Sequence, residues 1–146
     1  MTTSEKLQAW IPWAAVLGGA ATLLVELRWE HRIALGEEWP SWLPLIWLGL
    51  VLLSGALALA AGGRAIALLR AVCAAGLLLG PIGVLVHTGG KPVKQLGKVL
   101  GAWTIARGQD GGEKPGERPP ALAPLGIAGL GLAGALALRK RPGDPR

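Results

Sequence analysis

The chain has 146 residues, of which 51% are apolar and only 16% charged, and its mean hydropathy is +0.45. That balance excludes an ordinary soluble domain, which carries more charge and shows alternating or amphipathic patterns in place of long apolar blocks. The net charge of +6 sits beside those blocks and not on a continuous soluble face, so anionic lipid headgroups, not nucleic acid, are the expected counter-ions.

The first apolar block begins at Trp10 and runs to Glu26, giving an expected span at about residues 10–28 that leaves the bilayer between Glu26 and His31. Pro12 is tolerated in its first turn. A cleavable signal peptide is the rival reading, but Glu5 stands beside Lys6 ahead of the block and Val25-Glu26-Leu27 offers no small-residue cleavage site. The second block, residues 43–62, is free of charge over about 20 residues, the length that crosses a hydrocarbon layer of ~30 Å. Gly62-Gly63-Arg64 is a tight turn, and a third span covers 65–87, with Arg70 near its start able to reach the interface and Pro81 expected to bend it.

Beyond His87 the pattern changes. Val93, Leu96, Leu100 and Trp103 recur at spacings of three and four, with Lys94, Gln95 and Lys98 off that stripe, which predicts an amphipathic helix over about 92–106 lying in the headgroup layer. Residues 108–119 are rich in breakers and read as a flexible loop. A short uncharged fourth span follows at 121–138 and stops at Arg139-Lys140-Arg141. The expected fold is therefore all-α: an integral membrane four-helix bundle with an interfacial amphipathic helix between spans three and four, forming a single membrane domain over 1–146.

Tryptophan favours the boundary between headgroups and hydrocarbon. Trp10 and Trp13 mark the start of span one, Trp29 its exit, Trp39 and Trp42 the start of span two, and Trp103 the interfacial helix, while Trp47 falls a turn inside. Four spans place both termini and the Gly62 turn on one side. Lys6, Arg64, Arg70, Arg139, Lys140, Arg141 and Arg146 lie densely on short segments there, whereas Arg28, Arg32, Lys91, Lys94, Lys98, Arg107, Lys114 and Arg118 are spread over longer connections on the other side, so density favours cytoplasmic termini. The absence of Tyr and Phe beside abundant Ala, Gly and Leu suggests a bacterial chain, and so the bacterial inner membrane.

Helices in lipid associate through close packing and polar contacts. Gly76, Gly80 and Gly83 in span three, and Gly126, Gly129, Gly131 and Gly134 in span four, are the candidate packing positions, within one bundle in preference to between copies. Cys73, the single cysteine, lies in an apolar run and reads as a small buried hydrophobe, so there is no internal disulfide, Cys-based zinc site or CxxC pair.

The polar run Glu26-Leu27-Arg28-Trp29-Glu30-His31-Arg32 carries the most chemistry. On a continuing helix Glu26 and Glu30 share one face and Arg28 and Arg32 another, so no opposite charges stand three or four apart and the carboxylates need a cation from elsewhere. The span map puts His87 at the same surface, so Glu26, Glu30, His31 and His87 are the candidate ligands for a divalent metal, or the imidazoles for a haem. No spacing motif supports that set, and the preferred reading is solvated interfacial residues, with the arginines on lipid phosphates; a proton or ion relay is a further alternative. The glycines at Gly18-Gly19 and from Gly129 to Gly134 lie inside spans and do not form phosphate-binding loops. Lys91, Lys94 and Lys98 suit lipid better than nucleic acid, having no stacking aromatic beyond Trp103.

The run Glu26 to Arg32, the His87-Thr-Gly-Gly stretch and Pro119-Pro-Ala-Leu-Ala-Pro-Leu125 resemble a pattern in small multi-pass bacterial membrane proteins of unknown function. The resemblance covers most of the chain and implies multi-pass placement but no activity, cofactor or site residue. The expected function is a non-enzymatic accessory or packing subunit of a membrane assembly, with the lipid bilayer, further copies or a larger complex as partners and no cofactor. The alternatives are a metal- or haem-binding redox protein with its site at the non-cytoplasmic surface, and a subunit of an oligomeric transporter, the latter disfavoured because a substrate path needs polar groups near the midplane and spans two and four have none there beyond Ser54.

Overall fold

The computed structural model of the chain describes residues 2–30, 39–87, 123–140 and 142. These form four α-helices: α1 (Thr3–Glu30), α2 (Leu43–Ala61), α3 (Gly63–His87) and α4 (Ala123–Ala137), with a 3-10 turn at Trp39–Trp42 leading into α2. No strand occurs among the described residues. The expected interfacial helix at 92–106 and the loop at 108–119 lie outside them.

Each helix boundary has a local cause. α1 begins well before its apolar block because Thr2 and Glu5 form a capping box: the Thr2 N–H donates to Glu5 Oε2 at 2.9 Å, and the Glu5 N–H donates to Thr2 Oγ1 at 3.3 Å. Pro44 in the first turn of α2 has no N–H to leave unbonded there. Gly62 ends α2 at φ 62° and Gly63 follows at φ 47°, a left-handed pair that residues with a Cβ adopt only at a cost. The Gly62 N–H donates to Ala58 O at 2.9 Å, and the Ala65 N–H to Gly62 O at 3.0 Å, so α2 turns directly into α3. α3 runs through Pro81 as one helix.

Three of the helices are long and apolar enough to cross a membrane: Thr3–Trp29, Leu43–Ala61 and Gly63–Val86, whose most apolar 18-residue stretches have mean hydropathies of 1.5, 2.2 and 2.0. α4 is equally apolar but has 15 residues, a rise of about 22 Å, which is short of a hydrocarbon layer on its own.

The helices close into a ring in which α1 and α3 each pack on both α2 and α4, and the α3–α4 contact is the most extensive. Both pairings with α4 are antiparallel. A Cβ on Gly134 falls against Cys73, one on Gly131 lies 2.6 Å from Cys73 O, and one on Gly80 lies 2.7 Å from Pro124 O, so α3 and α4 pass in opposite directions. Against α1, Gly126 meets Leu23, Gly19 meets Leu130, and Gly134 meets Val16, again in reverse order.

Most buried side chains recur at spacings of three, four and seven: Trp13, Val16, Ala20 and Leu27 on α1; Leu45, Leu48, Val51 and Ala58 on α2, with Trp47 added beside Leu48; Ile66, Leu69 and Cys73 on α3; Ile127 and Leu130 on α4. That is the period of helices packed with knobs in holes. The outward faces are also apolar. Ile46, Leu50, Leu53 and Leu57 of α2, Leu68, Leu78, Ile82 and Leu85 of α3, and Leu125, Leu132 and Leu136 of α4 are all exposed. On α1 the exposed positions between Ile11 and Val25 are small ones: Ala14, Ala15, Gly18, Ala21 and Thr22.

The glycines of α4 differ in what they face. A Cβ at Gly134 or Gly131 collides with α3, whereas one at Gly129 meets nothing within 4 Å. Gly134→Leu is therefore expected to destabilise the protein by about 1–3 kcal/mol through overpacking, and Gly129→Leu by less than about 0.5 kcal/mol. Thermal unfolding of both variants in detergent checks this, and equal losses would contradict the register.

Candidate functional site

Because α1 and α3 both run antiparallel to α4, they run parallel to each other, and their C-terminal ends lie at one end of the bundle together with the starts of α2 and α4. This is the end to which the sequence assigned Glu26, Glu30, His31 and His87. Glu26 is exposed on α1 and lines a shallow open depression with Ala21, Thr22 and Val25. The next position on that line, Glu30, is the last residue of α1, and His87 is the last of α3. The Glu30 and His87 side chains, and the whole of His31, lie outside the described residues, so Glu26 is the member of the set whose surroundings are defined. Leu27 beside it is buried and Arg28 is exposed. Among the described residues no group of three or more His, Cys, Asp or Glu side chains comes together.

The described polar side chains inside the bundle act on the backbone. Trp47, buried on α2, donates its indole N–H to Val72 O of α3 at 2.7 Å. Its ring lies on Gly76, where an added Cβ falls 2.9 Å from Cη2. The missing side chain at Gly76 is thus what lets the indole reach a main-chain carbonyl one turn away. Trp13, also buried, donates to Lys140 O at 3.1 Å and ties the early part of α1 to the segment just past α4. Ser54 Oγ donates back to Leu50 O at 2.6 Å, and on the exposed face of α1 Thr22 Oγ1 donates to Gly18 O at 2.9 Å, so both hydroxyls are satisfied within their own helices. Among the described residues no buried side-chain nitrogen or oxygen lacks a partner.

Arg70 is exposed on α3 and donates its Nε–H to Ala135 O at 3.0 Å. Ala135 lies in the last turn of α4, where carbonyls have no partner further along the helix and the helix dipole favours a cation. Sequence reasoning placed Arg70 as a side chain reaching for the interface and missed this contact, since nothing in the local sequence ties residues so far apart. It also placed Trp13 at the start of span one without giving its ring a partner. The structure turns it inward, because position 13 lies on the same stripe as Val16 and Ala20.

Comparison of the chain with known protein families, with curated proteins and with solved structures returns no match.

If Glu26, Glu30, His31 and His87 form one metal or haem site, the purified protein carries metal in stoichiometric amount or a visible absorption band, and His31→Ala and His87→Ala each abolish it. Elemental analysis and a spectrum of the three proteins check this; a wild type free of both signals removes the shared-site reading.

Proposed function

We propose that the chain is an integral membrane protein that crosses a bacterial cytoplasmic membrane four times, with both termini on the cytoplasmic side, and serves as a non-enzymatic accessory or packing subunit of a larger membrane assembly. The observation that carries the membrane reading is the pairing of outward apolar faces with internally satisfied polar groups. Leu53, Leu78 and Ile82 are 60%, 70% and 54% exposed. Burying such a side chain fully is worth about 1.5–3 kcal/mol. Water opposes a surface of this kind on three neighbouring helices and lipid favours it. The tryptophan and hydroxyl donors inside the bundle end on backbone carbonyls, which is the condition lipid imposes on any polar group it surrounds.

The fourth crossing is supported by the tight contact of α4 with α3 and by the basic residues that follow it. Its helical rise of about 22 Å is extended at one end by Leu138 to Lys140, and a thinned bilayer or flanking residues absorb a further shortfall at modest cost. The orientation follows the density of Arg64, Arg70, Arg139, Lys140 and Arg141 beside the termini. The accessory role rests on the small mass of 15.1 kDa, the glycine-lined helices, and second and fourth spans without charge.

Two measurements test this reading. Reporter fusions at the N- and C-termini are expected to report the same, cytoplasmic, face; opposite faces would remove the four-span arrangement. Light scattering of the detergent-extracted protein is expected to give a protein mass above that of one chain, whereas a lone monomer with no co-purifying subunit would remove the accessory role.

A further inference from the structure

Resting on that membrane reading, we infer that the end of the bundle where α3 begins and α4 ends is a binding site for the phosphate headgroup of an anionic phospholipid, with Arg70 as its anchor and Arg64, Arg139 and Lys140 as its rim.

The four cations come from two helices that the antiparallel α3–α4 contact brings to one end. Arg64 lies in the first turn of α3, Arg139 and Lys140 directly follow α4, and all three are exposed. Arg70 lies nearly two turns further in, opposite Ala135. Its hydrogen bond to Ala135 O uses Nε alone, and among the described residues its two Nη nitrogens meet no acceptor. The guanidinium is therefore fixed at one corner against the last turn of α4 and exposed on the flank of the bundle.

A guanidinium at that depth is costly unless its remaining N–H groups find acceptors. A phosphodiester supplies two oxygens in the geometry the fork of an arginine matches. Neighbouring cations make the local potential positive, so an anionic headgroup gains where a zwitterionic one gains less. Glu5 is the described carboxylate on this side. It is engaged with the Thr2 N–H, and at eight residues before Trp13 it stands roughly 12 Å further along the α1 axis from the level of Lys140. At the other end of the bundle the described charges are Glu26 and Arg28, one of each sign. Among the described residues the cations therefore gather at this end.

The test uses full-length protein in nanodiscs of equal phosphatidylglycerol and phosphatidylethanolamine, with retained lipids read by native mass spectrometry. Wild type is expected to hold phosphatidylglycerol in excess. Arg70→Gln and Arg139→Gln should each lower that excess about fivefold, a factor fitting the attraction of one surface cation for anionic lipid. Arg70→Lys, which keeps the charge and loses the fork, should fall between, and Arg28→Gln at the opposite end, where the phosphate of either lipid can be met, should lower the excess less than Arg70→Gln or Arg139→Gln. If Arg70→Gln fails to fold, Arg139→Gln, outside the packed helices, carries the test alone. Inorganic phosphate at millimolar concentration should not displace the lipid; full displacement would assign the site to a free anion instead. Equal retention of the two lipids by wild type, or equal loss in Arg28→Gln, overturns the inference. A chain that stays in solution without detergent fails the membrane reading itself, whereas an embedded chain without lipid preference fails only this site.

Discussion

Helices α3 and α4 approach so closely that main chain meets main chain. At Gly131 a methyl group would press on Cys73 O and the backbone of Gly76, and at Gly134 it would strike the Cys73 side chain. Much else follows from this contact. α4 has 15 residues, near the length at which an isolated helix is marginal in water, and it draws its place in the ring from α3 on one flank and α1 on the other. In lipid, where apolar side chains gain nothing by leaving solvent, contact area and backbone proximity are what remain to hold such a helix. The same approach sets Arg70 against the last turn of α4 and carries Lys140 to the indole of Trp13.

The polar contacts complement that packing. Two buried tryptophans on different helices donate to main-chain carbonyls of other segments, Trp47 to α3 and Trp13 to the stretch just past α4, so each bond comes with a large apolar ring buried beside it. A bond of this kind is worth about 0.5–1.5 kcal/mol net, and leaving its buried donor unmet costs more. Small residues make room for the rings: Trp47 fits because Gly76 has no side chain. Glycine and tryptophan thus form one device, in which the absence of a Cβ on one helix admits the largest side chain of the next.

Much of this was legible in the amino-acid order. The charge-free run at residues 43–62 and the Gly62-Gly63 turn marked α2 and its hairpin to α3, because length, apolarity and left-handed glycine are local properties. The start of α1 was read late, since the apolar block begins at Trp10 whereas the Thr2–Glu5 box that opens the helix lies ahead of it. The inward turn of Trp13 and the partner of Arg70 were not legible. Both depend on α4, more than a hundred residues away from Trp13 in the chain, and a composition that is apolar on every face hides which face is buried. Of the expected metal set, residue order defines neither distance nor partner, and what the fold adds is that α1 and α3 end on the same side.

The most direct measurement of the α3–α4 contact uses the single native cysteine. In Gly134→Cys the new thiol would stand beside Cys73, with the Cβ positions 2.7 Å apart before relaxation, and a parting of about 1 Å gives the spacing a disulfide takes. Mild oxidation of membranes holding this variant should remove both thiols from alkylation within a monomeric chain, while Gly129→Cys, on the open face, keeps both. Persistent alkylation of Gly134→Cys, or equally fast loss in Gly129→Cys, would mean that the two helices do not meet in this register.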